Sequence, residues 1–327
     1  MSQPKPPLAP VLLALLALVS GASSAQAQGW PAKPVRLVVG FSAGGPTDVV
    51  ARAFADHASR TLGQPFVVDN KPGANTILAA EAVAAAPADG YTLLVGATNH
   101  TMIPALYSAR VKFDAVTSFA PVCTVAVSPT VLVTGPSMRA PTLTAFLQKV
   151  KAAPGERTYA TPGAGSSGHF ASEQFTRLTG TKMNHIPYKG AAQAVTDLVG
   201  GQVDSSFATL GSVLPQVQAG KLTALAVAAP QRSALLPQVP TFDEAGVKGY
   251  RADAWYGLLA PAGTAPAVLA LLEKTAQSFA QAPATVEKLR SLGMEAQSVC
   301  GTAFGTQLQR EVQGYTRLAR ELDLKTE

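Results

Sequence analysis

Short β-branched runs give way to Ala-rich stretches of helical length, over and over, along most of this chain. Val35-Arg36-Leu37-Val38-Val39 reads as a strand, followed by a Gly-rich turn and a helix from Val49 to Leu62. Phe66-Val67-Val68 is the next strand, and the loop Asp69–Asn75 leads into a helix through Ala86. The Asp89-Gly90 turn then opens an extended run from Tyr91 to Val95. Parallel strands need long crossovers, and helices of this size supply them. The alternation therefore predicts an α/β fold of βαβ units with a largely parallel sheet.

The pattern breaks twice. Between Phe119 and Thr134, Val/Thr-rich extended segments are punctuated by Pro121 and Pro129, with no helix among them. Alternation resumes with a helix over Leu143–Ala152, a strand near Tyr159, a helix to Thr179, strand Met183–Ile186, a helix after Gly190 and strand Val203–Phe207. A helix near Leu214 leads into a second extended segment, Leu222–Ala228, and three helical stretches end the chain: Ala265–Ala282, Ala284–Leu292 and Phe304–Leu322. Two α/β units separated by two extended segments predict two lobes joined by two crossings, an arrangement that closes a cleft on a ligand by hinge motion. The expected divisions are 28–127 with 229–327 for one lobe and 128–228 for the other.

Two Gly-rich loops stand between a strand and a helix. The first is Gly40-Phe41-Ser42-Ala43-Gly44-Gly45-Pro46-Thr47-Asp48. A helix start there presents unpaired N–H groups and a positive dipole end, suited to an anion such as a carboxylate, with Thr47 or Asp48 expected as the cap. The dinucleotide spacing G-x-G-x-x-G is missing, and no G-K-[ST] follows. A Gly-rich structural turn fits the same residues. The second loop, Thr161–His169, carries Ser166, Ser167 and His169 before another helix. A nucleophile elbow, G-x-S-x-G, fails at its first position, where Ala164 stands, although His185 and Asp204 are partner candidates in principle. Tyr188 at a strand end, and Thr98, Asn99 and His100 after another, are ligand-facing candidates by position.

The N-terminus bounds location. Lys5, an apolar stretch from Leu8 to Val19, and Ala25-Gln26-Ala27 follow the order of a secretory signal, expected to be cleaved after Ala27. The run is too short to span a membrane and contains Pro10. The stretch Leu18–Ala22 has no Cys to acylate, so a freely soluble product is expected. With Lys5 removed the formal charge falls from +6 to +5, and no block of like charge suggests a nucleic-acid surface. Cys123 and Cys300 either pair in an oxidising compartment or sit as separate buried thiols. No Cys/His cluster has metal-ligand spacing, and no metal or cofactor is expected.

In order along the chain stand Trp30-Pro31-Ala32-Lys33-Pro34-Val35, Phe41–Asp48, Leu62-Gly63-Gln64-Pro65, Asn70-Lys71-Pro72-Gly73-Ala74, Ala86–Leu93, Ser166-Ser167-Gly168-His169, Pro187-Tyr188-Lys189-Gly190, Gly220-Lys221-Leu222, Val239-Pro240-Thr241-Phe242 and Trp255–Thr264. In these blocks, taken together, the chain resembles the extracytoplasmic solute receptors of the tripartite tricarboxylate transporter system, the Bug family. The resemblance implies a type II periplasmic-binding-protein fold, two lobes with a ligand cleft between them, and capture of a small carboxylate for an inner-membrane permease. It further implies that the Phe41–Asp48 loop holds a ligand carboxylate, with Ser166–His169 and Tyr188 contributing from the other lobe. The family often reads Phe-Asp-Asn-Leu where this chain has Phe207-Ala208-Thr209-Leu210. Ala208 cannot pair with a ligand ammonium, so a cargo without an essential amino group is expected: a di- or tricarboxylate or an aromatic acid.

The candidate ligand residues are Phe41, Ser42, Ala43, Gly44, Gly45, Thr47, Asp48, Thr98, Asn99, Ser166, Ser167, His169, Tyr188 and Ala208. A monomeric periplasmic binding protein without enzymatic activity is the leading expectation. An exported serine-hydrolase-like enzyme and a ligand-presenting sensor are the alternatives.

Overall fold

A computed structural model describes residues 29–250 and 252–321. The expected signal segment, 1–27, lies outside the described residues. The chain divides into Met1–Ala32 and Lys33–Glu327. Gly29–Ala32, the described part of the first unit, form no helix or strand, and the architecture below is that of the second.

The first α/β run comprises β1 (Val35–Val39), α1 (Pro46–Leu62), β2 (Phe66–Asn70), a 3-10 turn (Ala74–Thr76), α2 (Ile77–Ala84), β3 (Thr92–Ala97) and α3 (Asn99–Tyr107). A long strand, β4 (Phe119–Thr134), leads to α4 (Leu143–Ala152), β5 (Thr158–Thr161), α5 (Ser167–Thr179), β6 (Asn184–Pro187), α6 (Ala191–Val199), β7 (Ser205–Thr209), α7 (Leu210–Gln218) and β8 (Thr223–Val227). The chain closes with β9 (Asp253–Pro261), α8 (Pro266–Gln281), α9 (Pro283–Ser291), β10 (Glu295–Ala296) and α10 (Gly301–Glu321).

Local chemistry sets these limits. All four aliphatic side chains of β1 are buried, in a β-favouring run, and Arg36 alone is exposed. α1 opens with Pro46 in its first turn and stops at Gly63 in the left-handed conformation. α4 and α5 are capped by Thr142 and Ser166, whose side chains accept from Ala145 N–H and His169 N–H.

The strands run in the order β2-β1-β3-β9-β4-β7-β5-β6, with β8 and β10 also on β4. Parallel pairing joins β1 to β2 and β3, and β5 to β6 and β7. The centre is antiparallel: β4 pairs that way with β7, β8, β9 and β10, and β9 with β3. The largely parallel sheet expected from the alternation is thus confined to the two wings. The centre differs because β4 runs through both wings and its neighbours, β9 in one and β7 and β8 in the other, all run opposite to it.

The two wings are the two lobes. β4 pairs with β9 from Phe119 to Pro129, then with β7 from Thr130 to Thr134, so its residues 129–130 are the first crossing. The second crossing is not Leu222–Ala228. That segment is β8, paired to β4 inside the second lobe. Leu236, Val239, Phe242, Val247 and Tyr250 also pack on the cores built around Val131, Phe175 and Phe207. Residues 229–250, expected in the first lobe, therefore pack on the second, and the return comes where Thr130 N–H donates to Ala252 C=O at 3.0 Å. Cys123 and Cys300 form a disulfide that joins β4 to the residue before α10. Among the described residues no helix is long and apolar enough to cross a membrane.

Candidate functional site

The first Gly-rich loop leads into α1, and the cap differs from expectation. Gly45 is the N-cap, without a side-chain hydrogen bond, so neither Thr47 nor Asp48 caps the helix. Asp48 instead reaches back from the first turn. Its Oδ2 accepts from Gly44 N–H at 2.9 Å and from Arg52 Nε at 2.8 Å, and its Oδ1 accepts from Asn70 Nδ2 at 2.9 Å. The same Asn70 amide donates to Phe41 C=O at 3.0 Å. Burial pushes the Asp48 carboxyl up, but hydrogen bonds from Arg52, Gly44 and Asn70, with the Arg52 charge, hold it below the ordinary carboxylate range. Asp48 thus clamps the loop from inside, with Thr47 buried beside it, while Ser42, Ala43 and Gly44 stay exposed at the helix start.

The second loop is built the same way from different parts. Ser166 Oγ accepts from His169 N–H at 3.3 Å, and His169 Nδ1 accepts from Gly165 N–H at 3.0 Å. The His169 ring stacks on His185 at 4.1 Å between centroids, and His185 stacks on Tyr159 at 4.9 Å. His185 Nε2 and Thr161 Oγ1 share a 2.7 Å hydrogen bond. Burial lowers His169 to about 4. Burial, then the neighbouring His169, lowers His185 to about 3. Both rings are therefore neutral near pH 7, and His169 acts as a prop for the loop. α5 also lies tight on β7, since a Cβ at Gly168 would fall 2.5 Å from Phe207 C=O.

The residues a hydrolase would use are each committed elsewhere. Ser166 caps α5, His185 holds Thr161, and Asp204 Oδ2 accepts from Thr158 N–H at 2.9 Å. They share no hydrogen bond with one another in this arrangement, as a nucleophile and its base need. Among the described residues no group of three or more His, Cys, Asp or Glu is placed to hold a metal ion.

Of the remaining candidates, Tyr188 is half-buried and donates to Asp197 Oδ2 at 2.7 Å. Burial, with that bond, raises its hydroxyl to about 12. Ala208 is buried in β7 against Val131. Thr98 Oγ1 accepts from Trp255 N–H at 2.8 Å, tying β3 to β9. Asn99 Nδ2 donates to Thr76 Oγ1 at 2.6 Å and Asn75 C=O at 3.3 Å. The buried His100 donates from Nε2 to Ala115 C=O at 2.7 Å, and its ring stacks on Phe113.

The structure brings the second loop against the first lobe at a place the sequence did not mark. Tyr107 Oη donates to Ala164 C=O at 3.2 Å. A Cβ at Gly165 would meet Leu106 at 2.7 Å, Asn75 Nδ2 at 3.0 Å and Tyr107 at 3.3 Å. Asn75 lies one residue past the block ending at Ala74, and Tyr107 lies on α3, a helix that Pro104 made hard to foresee. Separately, a cavity of about 230 Å³ lies beside the crossings, walled by Thr130, Phe170, Asp253, Glu311 and Tyr315 among others, and of the candidate ligand residues only Ser167 lines it.

A model of the tripartite tricarboxylate transporter family receptor matches residues 50–324. Protein BugT of Bordetella pertussis is 36% identical over 307 residues, covering 93% of this chain and 94% of that protein. The R. palustris protein Rpa4515, solved with adipate, superposes with a TM-score of 0.86 at 32% identity, covering 90% of this chain and 99% of its own. MatC from Rhodopseudomonas palustris, solved with bound malate, gives 0.82 at 31% identity, covering 88% and 99%.

Proposed function

The chain belongs to the tripartite tricarboxylate transporter receptor family, and from that premise we propose that its cleft captures a small organic carboxylate, which it hands to a membrane permease of that transporter type. One observation carries the proposal. Two helix starts, one per lobe, are each preceded by a Gly-rich loop whose conformation is locked by interior hydrogen bonds, at Asp48 in one and at Ser166 and His169 in the other. Locked loops present backbone N–H groups at the positive ends of α1 and α5 without reorganisation, which is what binding an anion needs. The adipate and malate held by two relatives are anions of that class.

The protein acts as a carrier without turnover, monomeric in the periplasm after removal of residues 1–27. Ser42–Gly45 contribute backbone contacts from one side, and Ser166 and Ser167 from the other. Phe41, Thr47, Asp48, Thr98, Asn99, His169, Tyr188 and Ala208 act behind them, by fixing loop shape and closing the walls.

Thermal unfolding against malate, adipate, citrate and benzoate tests this. A cargo present at a hundredfold excess over its Kd stabilises the folded state by about 2.7 kcal/mol. One or two acids should raise Tm by several degrees, with the acid recovered unchanged by NMR. No shift with any acid would count against the carrier. Acid consumption that disappears in Ser166→Ala would point to the hydrolase instead.

A further inference from the structure

The 3-10 turn between β2 and α2 is strained where it needs no strain to make a turn. Ala74, Asn75 and Thr76 have φ of 47°, 50° and 72°, three consecutive non-glycine residues in the left-handed region. Strain of this kind persists where surrounding contacts over-determine it, and it concentrates at ligand clamps. The surroundings here do so. Asn99 holds Asn75 C=O and Thr76 Oγ1 from α3. The Thr76 side chain packs on Gly40 so closely that a Cβ there would fall 2.4 Å away. The turn is thereby pinned to the end of β1, just before the first Gly-rich loop.

The turn aims one group at the other lobe. Asn75 Nδ2 is buried, finds no hydrogen-bond partner among the described residues, and faces Gly165 in the second Gly-rich loop. A buried amide donor without an acceptor is costly, and native structures leave few of them without a reason. This donor faces one of the two loops to which a carboxylate cargo is assigned above, from a turn whose next residue, Thr76, is packed on Gly40 at the start of the other.

We propose that Asn75 is a specificity-determining residue of the cleft, its carboxamide N–H donating to a carboxylate oxygen of the cargo as the Gly165 loop closes over it. The proposal rests on the carboxylate-carrier function stated above. Asn75 supplies a neutral donor, where an acid would repel the same cargo and favour an ammonium. Together with Ala208, it leaves the cleft without an acid at two places from which one could reach a ligand amine.

The test is calorimetric titration of the exported protein and two variants with malate, aspartate, adipate, citrate and benzoate. In Asn75→Gly the left-handed backbone is free of strain, so Tm should hold or rise while affinity for the tightest acid of the panel falls about tenfold. Asn75→Asp keeps the shape and reverses the role. It should bind that acid more weakly than the glycine variant does, and the ratio of malate to aspartate affinity should fall at least tenfold. If the wild type binds an acid and both variants bind it within threefold, with that ratio unchanged, Asn75 does not contact cargo and the proposal falls alone. If the wild type binds none of the five, the carboxylate assignment falls and this proposal with it. Should Asn75→Asp fail to fold, the glycine variant decides the matter.

Discussion

Gly168 has no room for a side chain, and the reason is its neighbour across the second lobe. The added Cβ would lie 2.5 Å from Phe207 C=O, a backbone atom that cannot rotate away. Either β7 or the start of α5 must then move, and Ser166 and Ser167 move with α5. Overpacking of this kind costs about 1–3 kcal/mol. Gly168→Ala should therefore lower Tm by several degrees and weaken acid binding more than tenfold, both measurable on one preparation. Wild-type Tm with wild-type affinity would mean that α5 has slack, and that its seating on β7 does not position the loop. The glycine was visible in the sequence within a recognised block. Its cause was not, because the contact spans two elements far apart along the chain.

Three elements of the second lobe are held together by one column of rings: Tyr159 in β5, His185 in β6 and His169 in α5. The column has a pH signature. Burial holds His169 at about 4 and His185 at about 3, and the fully buried His100 of the first lobe at about 4, all below the ordinary histidine value of 6.5. Between those values the unfolded chain binds protons that the folded chain does not, so stability rises with pH across that window. The contribution is complete above about pH 6.5 and is lost as pH falls toward 4, with a slope of up to about 1.4 kcal/mol per pH unit for each ring. Urea midpoints at pH 7 and pH 5 should differ accordingly, and His185→Phe, which keeps an aromatic ring in the column, should flatten the difference. An unchanged slope in that variant would locate the titration elsewhere. At this scale the sequence was informative about element type and poor about pairing. β-Branched and Ala-rich runs marked most strands and helices, several to the residue, as in Val35–Val39 and Leu143–Ala152. The antiparallel centre was hidden because a strand that crosses between lobes has the same composition as one that stays within a lobe. Helix α3 was hidden by Pro104 inside it.

The whole molecule turns on β4, which contributes to both wings of the sheet, and on α10, which reaches across to the second lobe where Tyr315 meets Phe170 at 5.1 Å. Cys123 and Cys300 join these two elements over a sequence separation of 177 residues. Two cysteines so far apart can be brought together only by the fold, and for that reason their pairing could not be read from spacing. A loop of that length, once closed, removes much entropy from the unfolded chain, and the chain-entropy model puts the stabilisation at about 5 kcal/mol, with 2–5 typical on removal of a native bridge. The bridge lies on the first-lobe half of β4, where Cys123 pairs with Leu258, whereas the two Gly-rich loops are held by their own hydrogen bonds at Asp48, Ser166 and His169. Stability and binding should therefore separate. The double variant Cys123→Ala/Cys300→Ala should lose about 2–5 kcal/mol in urea unfolding while keeping its affinity for the preferred acid within about threefold. The converse result, a small stability change with affinity reduced more than tenfold, would mean that the bridge sets the angle at which α10 meets α5, and that the cleft depends on it.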